Sequence, residues 1–250
     1  MSVERYKDHE VTPWTGEHLH RYTEAKKFVE QGDNVLDLAC GSGYGANILS
    51  EVLKTTIYAG DIDASTINDC SIEWKDNKSV HFEVMDATAL RFDNAFFDVI
   101  ISLETIEHLT AYKKMVSEFA RVIKSEGIVI ISTPNIKVSS PDGKVINPYH
   151  IQEFTYDELK NILKEEFSEV TISGQKYTRY ENNQANGFKH FMEKLLLVRG
   201  VRKLPYQLRN GVFKSMFKSP LYPEIGDYQL FGDKDFIKKN CHVLFAVCKK

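Results

Sequence analysis

Apolar positions recur along this chain in two different periods, and the places where one period yields to the other outline a fold. Short runs rich in β-branched residues at Val35 to Ala39, Thr56 to Ala59, Val80 to Val84, Val99 to Leu103 and Ile128 to Ser132 each predict a strand. Between them the spacing is helical, most clearly from Ala111 to Lys124, where Met115, Val116, Phe119, Val122 and Ile123 form one apolar stripe. A helix is also predicted from Gly16 to Gln31, because Leu19, Tyr22, Ala25, Phe28 and Val29 share a face and Gly32 can end it. Strands alternating with helices imply right-handed crossovers and a parallel sheet covered on both faces.

Further on, a helix is predicted from Thr155 to Glu166, with Thr155 and Glu158 spaced as a capping box, and a strand from Glu169 to Ser173. Residues 175 to 238 break the rhythm: they mix Asn, Gly, Lys and Pro with a basic helix-like piece from Phe188 to Leu204, and read as a lid or insertion. The apolar run His242 to Cys248 then returns to the sheet beside residues 169 to 173. The expected fold is α/β, a Rossmann-like doubly wound, seven-stranded, mostly parallel sheet whose last strand is antiparallel, with a helical insertion before that strand. One domain is expected over 1–250, divided into an N-terminal helical segment (1–32), a ligand-binding core (33–174), the insertion (175–238) and the final strand (239–250).

Composition narrows the partners. The 32 Lys and Arg against 35 Asp and Glu give a net charge of -3, which favours a small acceptor over a nucleic acid, whose phosphates call for a basic excess. Cys40, Cys70, Cys241 and Cys248 have no metal-site spacing and are too few for a disulfide framework, so a reducing compartment is expected. The first residues carry no apolar targeting core, and no stretch approaches the roughly 18 apolar residues of a membrane span. A cytoplasmic protein without a membrane span is expected; the oligomeric state is open.

The segment Val35-Leu36-Asp37-Leu38-Ala39-Cys40-Gly41-Ser42-Gly43-Tyr44-Gly45 is an apolar strand with an acid inside it, followed by three alternate glycines that open a helix. Glycines there let the backbone approach a ligand at the carboxyl end of the first strand. The G-x-G-x-G spacing differs from the G-x-G-x-x-G of a dinucleotide turn. Asp61 ends the second strand twenty residues beyond Gly41, where its carboxylate can accept from two ribose hydroxyls. Asp86 ends the third strand in the phrase Val84-Met85-Asp86-Ala87, placed to accept from an adenine amine.

With these features the chain resembles the class I S-adenosylmethionine-dependent methyltransferases over about residues 16 to 174 and the final strand. The resemblance implies that Gly41 and Gly43 line the amino-acid part of S-adenosylmethionine, that Asp61 holds its ribose and that Asp86 holds its adenine amine. Asp37 would orient the glycine loop or the cofactor's ammonium group, Ile62 and Leu103 would wall the adenosine, and Ala39 and Ala87 complete the cofactor-binding set.

A second constellation follows the fourth strand: Glu104, Glu107 and His108 stand at i, i+3 and i+4, on one face if the turn is helical. After the fifth strand comes His150-Ile151-Gln152-Glu153-Phe154-Thr155. Both segments leave carboxyl ends of strands, so they can meet beside the transferred methyl group. The E-x-x-E-H turn resembles that of ubiquinone-biosynthesis O-methyltransferases and of Hen-type enzymes that methylate the terminal 2′-hydroxyl of small RNAs. The later histidine is similar to a Hen-type motif. That resemblance implies a divalent metal held by Glu104, Glu107, His108 and His150, with Mg²⁺ or Mn²⁺ the expected ions and Fe²⁺ also compatible. Without a metal, His108 or His150 is the expected general base and Glu104 a catalytic partner.

The H-x-x-E-F-T phrase also resembles bacterial methyltransferases of glycan and nucleotide-sugar pathways, which implies O-methylation of a sugar hydroxyl, with a sugar or nucleotide sugar as acceptor. The alternatives are a Hen-like RNA-end methyltransferase using the basic run Lys189 to Arg209, a catechol or quinone-precursor O-methyltransferase using the aromatic segment Phe213 to Phe231, and a non-catalytic cofactor-binding module.

Overall fold

A computed structural model of the protein describes residues 12–145, 147–180, 187–197 and 201–250. The first element is α1 (Thr15–Lys26), shorter than the pattern predicts: amides of Lys27, Phe28 and Val29 bond three residues back, and this tightening ends the helix before Gln31. Parallel strands β1 (Asn34–Leu38), β2 (Thr56–Asp61), β3 (Val80–Val84), β4 (Phe97–Leu103) and β5 (Ile123–Pro134) follow. Helices α2 (Tyr44–Leu49), α3 (Ala64–Glu73) and α4 (Tyr112–Val122) lie between them in the chain, and α5 (Ile136–Ser139) and α6 (Tyr156–Lys164) come after β5. Thr155 and Glu158 form the expected capping box at the start of α6.

The chain then makes β6 (Glu169–Tyr177), α7 (Gly187–Leu197), α8 (Tyr206–Phe217), β7 (Tyr228–Phe231), α9 (Lys234–Asn240) and β8 (Val243–Lys249). The strand order is β3-β2-β1-β4-β5-β8-β6-β7, with β8 antiparallel to both β5 and β6. The reversed last strand is therefore as expected, but the sheet has eight strands and not seven. The additional one, β7, is four residues at the edge, too short to show an alternating pattern. Order reverses between β1 and β4, so the loops after these strands face the crevice in which open α/β sheets bind ligands.

The described residues fall into two compact units. The first contains Arg21–Lys176 and Leu230–Lys250, and its main core cluster lines one face of the sheet through Leu36, Ile100, Val129 and Leu244, with Phe119 of α4 in the same cluster. The second contains residues 12–20 and Tyr177–Gln229. Its core is Phe213, Leu221 and Tyr222, with Met192, Leu196 and Tyr206 packed against them. Arg179 pairs there with Asp227 at 2.9 Å. The basic helix expected from Phe188 to Leu204 is observed as α7 and a separate 3₁₀ turn at Val201–Lys203; residues 198–200 lie outside the described residues, as do 1–11 of the N-terminal segment and 181–186 of the insertion. The helix α8 went unread because its apolar residues occupy two faces.

Candidate functional site

The glycine loop leaves β1 through backbone conformations that ordinary side chains disfavour: Ala39 has φ 62°, Gly41 54° and Gly43 77°. A Cβ on Gly43 would stand 2.8 Å from the Phe82 ring, so glycine is sterically required there. On Gly41 it would meet nothing within 4 Å, and this open side is the cradle a ligand would fill. The loop is held by Cys40 N–H donating to the Gly60 carbonyl at 2.9 Å and Gly43 N–H donating to the Cys40 carbonyl at 3.0 Å.

Asp61 accepts from the Gly41 amide at 3.3 Å through Oδ2 and from the Asp63 amide at 3.0 Å through Oδ1. Asp63 faces a different task, capping α3 by accepting from Ser65 N–H at 2.9 Å. Asp86 is exposed at the end of β3; the Thr88 amide at 2.7 Å and hydroxyl at 2.8 Å hold its carboxyl below the usual range, hence ionised. Ile62 is 69% exposed, and Ala39, Ala87 and Leu103 are half-buried. Asp37 is fully buried within β1; Oδ1 accepts from the Tyr22 hydroxyl at 3.0 Å, while Oδ2 has no hydrogen-bond partner. Burial pushes this carboxyl up to about 7, against the opposing effect of the Tyr22 hydroxyl.

The second constellation assembles, with one correction. Glu104, Glu107 and His108 do not share a helical turn: Glu104 is left-handed (φ 53°), and the turn is a 3₁₀ helix covering only Ile106–His108. Glu104 is held toward β5, where its Oε1 accepts from the Ser132 hydroxyl at 2.7 Å. Among the described residues, ligand atoms of Glu107, His108 and His150 lie within 4.8 Å of one another, and Glu104 is outside that group. His150 arrives because the loop after β5 docks on the 3₁₀ turn, with the Ile151 amide donating to the Glu107 carbonyl at 3.0 Å. The His108 and His150 rings meet edge to face at 5.0 Å.

Each group in this cluster is held by a partner. Nδ1 of His108 lies 2.8 Å from the Tyr149 carbonyl, which can only accept, so Nδ1 carries the hydrogen and Nε2 keeps a lone pair. Burial, with His150 adding to it, holds the His108 ring below the usual histidine range. His150 Nδ1 faces Glu153 at 2.8 Å, and its Nε2 lies 2.9 Å from the Asn147 amide nitrogen. Glu107 is completely buried; Oε2 accepts from the Thr133 hydroxyl at 2.9 Å and Oε1 has no partner. Burial first, and the Glu104 charge second, push its carboxyl well above the usual range.

A family profile described as a methyltransferase domain matches residues 36–131, the span from the glycine loop through β5. The chain has the fold of the class I S-adenosylmethionine-dependent methyltransferases, and its residues 36–131 are similar to their domain. A probable S-adenosylmethionine-dependent methyltransferase of Mycobacterium tuberculosis is 34% identical over 145 residues, 56% of this chain and 51% of that protein. An O-methyltransferase of Penicillium expansum is 25% identical over 168 residues, 62% of this chain and 59% of its own. The chain thus spans about half the length of the curated relatives it matches first. In structure, a putative methyltransferase of Haloferax volcanii, solved with its Trm112 activator, superposes with a TM-score of 0.61 over 94% of this chain and 91% of that one, at 16% identity. Matched relatives are named for oxygen and for nitrogen acceptors alike.

Several of the partners that hold these side chains carry no local signal in the sequence. Tyr22 counts as an apolar member of the α1 stripe, and nothing in its spacing pairs it with Asp37. Ser132 and Thr133 look like ordinary strand residues, yet their hydroxyls hold Glu104 and Glu107. Glu153 was within reach of inference, since it stands three residues after His150.

Proposed function

We propose that this methyltransferase transfers the methyl group of S-adenosylmethionine to an alcohol oxygen, and that His108 takes the proton of that alcohol. The observation that carries this reading is the hydrogen bond from His108 Nδ1 to the Tyr149 carbonyl, which leaves Nε2 as a free base. Methyl transfer breaks the carbon–sulfur bond as the carbon–oxygen bond forms, and the hydroxyl proton passes to Nε2. The protein's share is to align oxygen with methyl and to accept that proton. The residues of the glycine-loop side fit the cofactor. Gly41 offers open backbone, Asp61 and Asp86 offer carboxylates for the ribose and the adenine amine, and the unpartnered Oδ2 of Asp37 is a buried acceptor suited to an ammonium group. Ala39, Ile62, Ala87 and Leu103 are the apolar lining of this assignment.

A sugar or nucleotide sugar is the acceptor class we favour, because the net charge of -3 suits a small polyol better than a long polyanion. A second reading rests on Glu107, whose Oε1 is buried without a partner in the group shared with His108 and His150. Those three donors fit a divalent cation, and the backbone carbonyl and Glu153 behind the two imidazoles are partners of the kind that orient metal-bound histidines. When bound, such an ion would lower the pKa of an acceptor hydroxyl.

Transfer from radiolabelled S-adenosylmethionine to a panel of nucleotide sugars, before and after exhaustive chelation, tests both readings. Label in an alkali-stable ether with activity retained after chelation supports His108 acting alone. Activity lost on chelation and restored by Mg²⁺ or Mn²⁺ supports the cation. Label appearing only on amines overturns the oxygen acceptor.

A further inference from the structure

Helices α7 and α8 are apolar on two sides. One side of each packs inward on the core of the second unit, through Met192 and Leu196 of α7 and Tyr206, Phe213 and Phe217 of α8. The other side faces solvent: Phe188, Phe191 and Leu195 recur at i, i+3 and i+7 along α7, and Leu208, Val212 and Met216 at i, i+4 and i+8 along α8. These six are between 42% and 60% exposed. A surface helix of a globular protein ordinarily shows polar residues there, and two parallel failures of that rule mark an interaction surface.

The charge around these stripes says what would cover them. Residues 187–218 hold eight Lys and Arg against one acid, a net +7 within a chain whose total is -3. That acid, Glu193, does not reach the outer face; it is buried, with Arg179 at 3.7 Å and the Tyr177 hydroxyl at 3.4 Å. Arg209 is turned inward too, donating to the Leu204 and Leu196 carbonyls and the Tyr222 hydroxyl. The exposed cations of this segment are Lys194 in α7, Lys214 in α8, and Lys203 and Lys218 just before and after α8, and among the described residues of the segment no acid is exposed.

We infer that the outer faces of α7 and α8 seat on an anionic lipid surface, with the phenylalanine, leucine and methionine side chains in the interfacial layer and the lysines on the headgroup phosphates. Amphipathic helices that lie in a membrane interface combine these same two features. A nucleic acid would use the lysines but has no use for aliphatic Leu195, Leu208 and Val212; a second copy of this acidic chain would use the apolar stripes. No described helix is long and apolar enough to cross a membrane, so the contact would be peripheral.

Sedimentation of the full chain with vesicles of phosphatidylcholine, or of phosphatidylcholine with 30% phosphatidylglycerol, tests the inference. Binding to the anionic vesicles at least tenfold tighter than to the neutral ones is expected. The triple variant Phe188→Ser, Phe191→Ser, Leu208→Ser should lose tenfold or more of that binding. The variant Lys194→Gln, Lys203→Gln, Lys214→Gln should lose the preference for anionic vesicles, with thermal unfolding unchanged in both. No binding to either vesicle overturns the inference, as does equal binding to both. Self-association in sedimentation equilibrium that the serine variant abolishes, without lipid binding, assigns the face to a second copy. Binding of single-stranded RNA that the glutamine variant loses and the serine variant keeps, again without lipid binding, assigns it to nucleic acid.

Discussion

The Tyr22 hydroxyl donates to Asp37 Oδ1 at 3.0 Å, tying α1 to the first strand immediately before the glycine loop. Both groups are buried, so the bond compensates each of them for lost water. Tyr22→Phe should destabilise the protein by about 1 to 3 kcal/mol, measured by urea unfolding. An unchanged midpoint would show that the bond contributes nothing net.

Asp37 carries a pH dependence with a definite sign. Its folded value of about 7 lies above its ordinary value of 3.8, so the folded chain binds this proton more tightly than the unfolded one. The group therefore favours the fold below pH 3.8, and that contribution is lost as pH rises toward about 7. Asp37→Asn should remove this decline and, at pH 8, leave a variant more stable than the parent by up to about 4 kcal/mol, at roughly 1.4 kcal/mol per pKa unit. Parallel stability profiles for parent and variant between pH 4 and 8 would contradict the assignment.

Asp61 is expected to hold the cofactor ribose. Asp61→Ala removes charge-assisted hydrogen bonds worth roughly 1.5 to 3 kcal/mol each, so the dissociation constant for S-adenosylmethionine should rise at least tenfold by calorimetry. An unaltered constant in a folded variant would assign the ribose to another residue.

His108 should give kcat/KM an acid limb with its inflection below 6.5, because burial and His150 hold its ring below the ordinary histidine value. His108→Gln should lower the rate by about 100-fold or more and abolish that limb. A limb that survives the substitution places the base elsewhere.

At the start of α6, Thr155 Oγ1 accepts from the Glu158 amide at 3.2 Å while Glu158 Oε2 accepts from the Thr155 amide at 2.8 Å. Thr155→Ala should cost about 1 kcal/mol, or about 2 to 4 °C in melting temperature for a chain of this size, without affecting cofactor affinity. A loss of cofactor binding would mean that α6 positions the site and not merely its own first turn.

Local periodicity and turn chemistry were enough to read β1 to β6, the reversed β8 and the capping box from the residues alone. Alternation, helical stripes and caps are settled between neighbours in the chain, and the glycine loop was legible for the same reason. Whether Glu104, Glu107 and His108 share one helical turn could not be read locally, because the shape of the segment is set across the sheet: Ser132, 28 residues away, holds Glu104 off the turn. The grouping of Glu107, His108 and His150, the Tyr22 partner of Asp37 and the edge strand β7 were likewise decided only in three dimensions. The sequence by itself determined the order of strands and helices and the carboxylates at the strand ends, since these follow from short-range spacing. Which side chains meet, which acid is buried and which imidazole nitrogen stays free were left to the tertiary structure, because burial and hydrogen bonding depend on residues that only the fold makes neighbours.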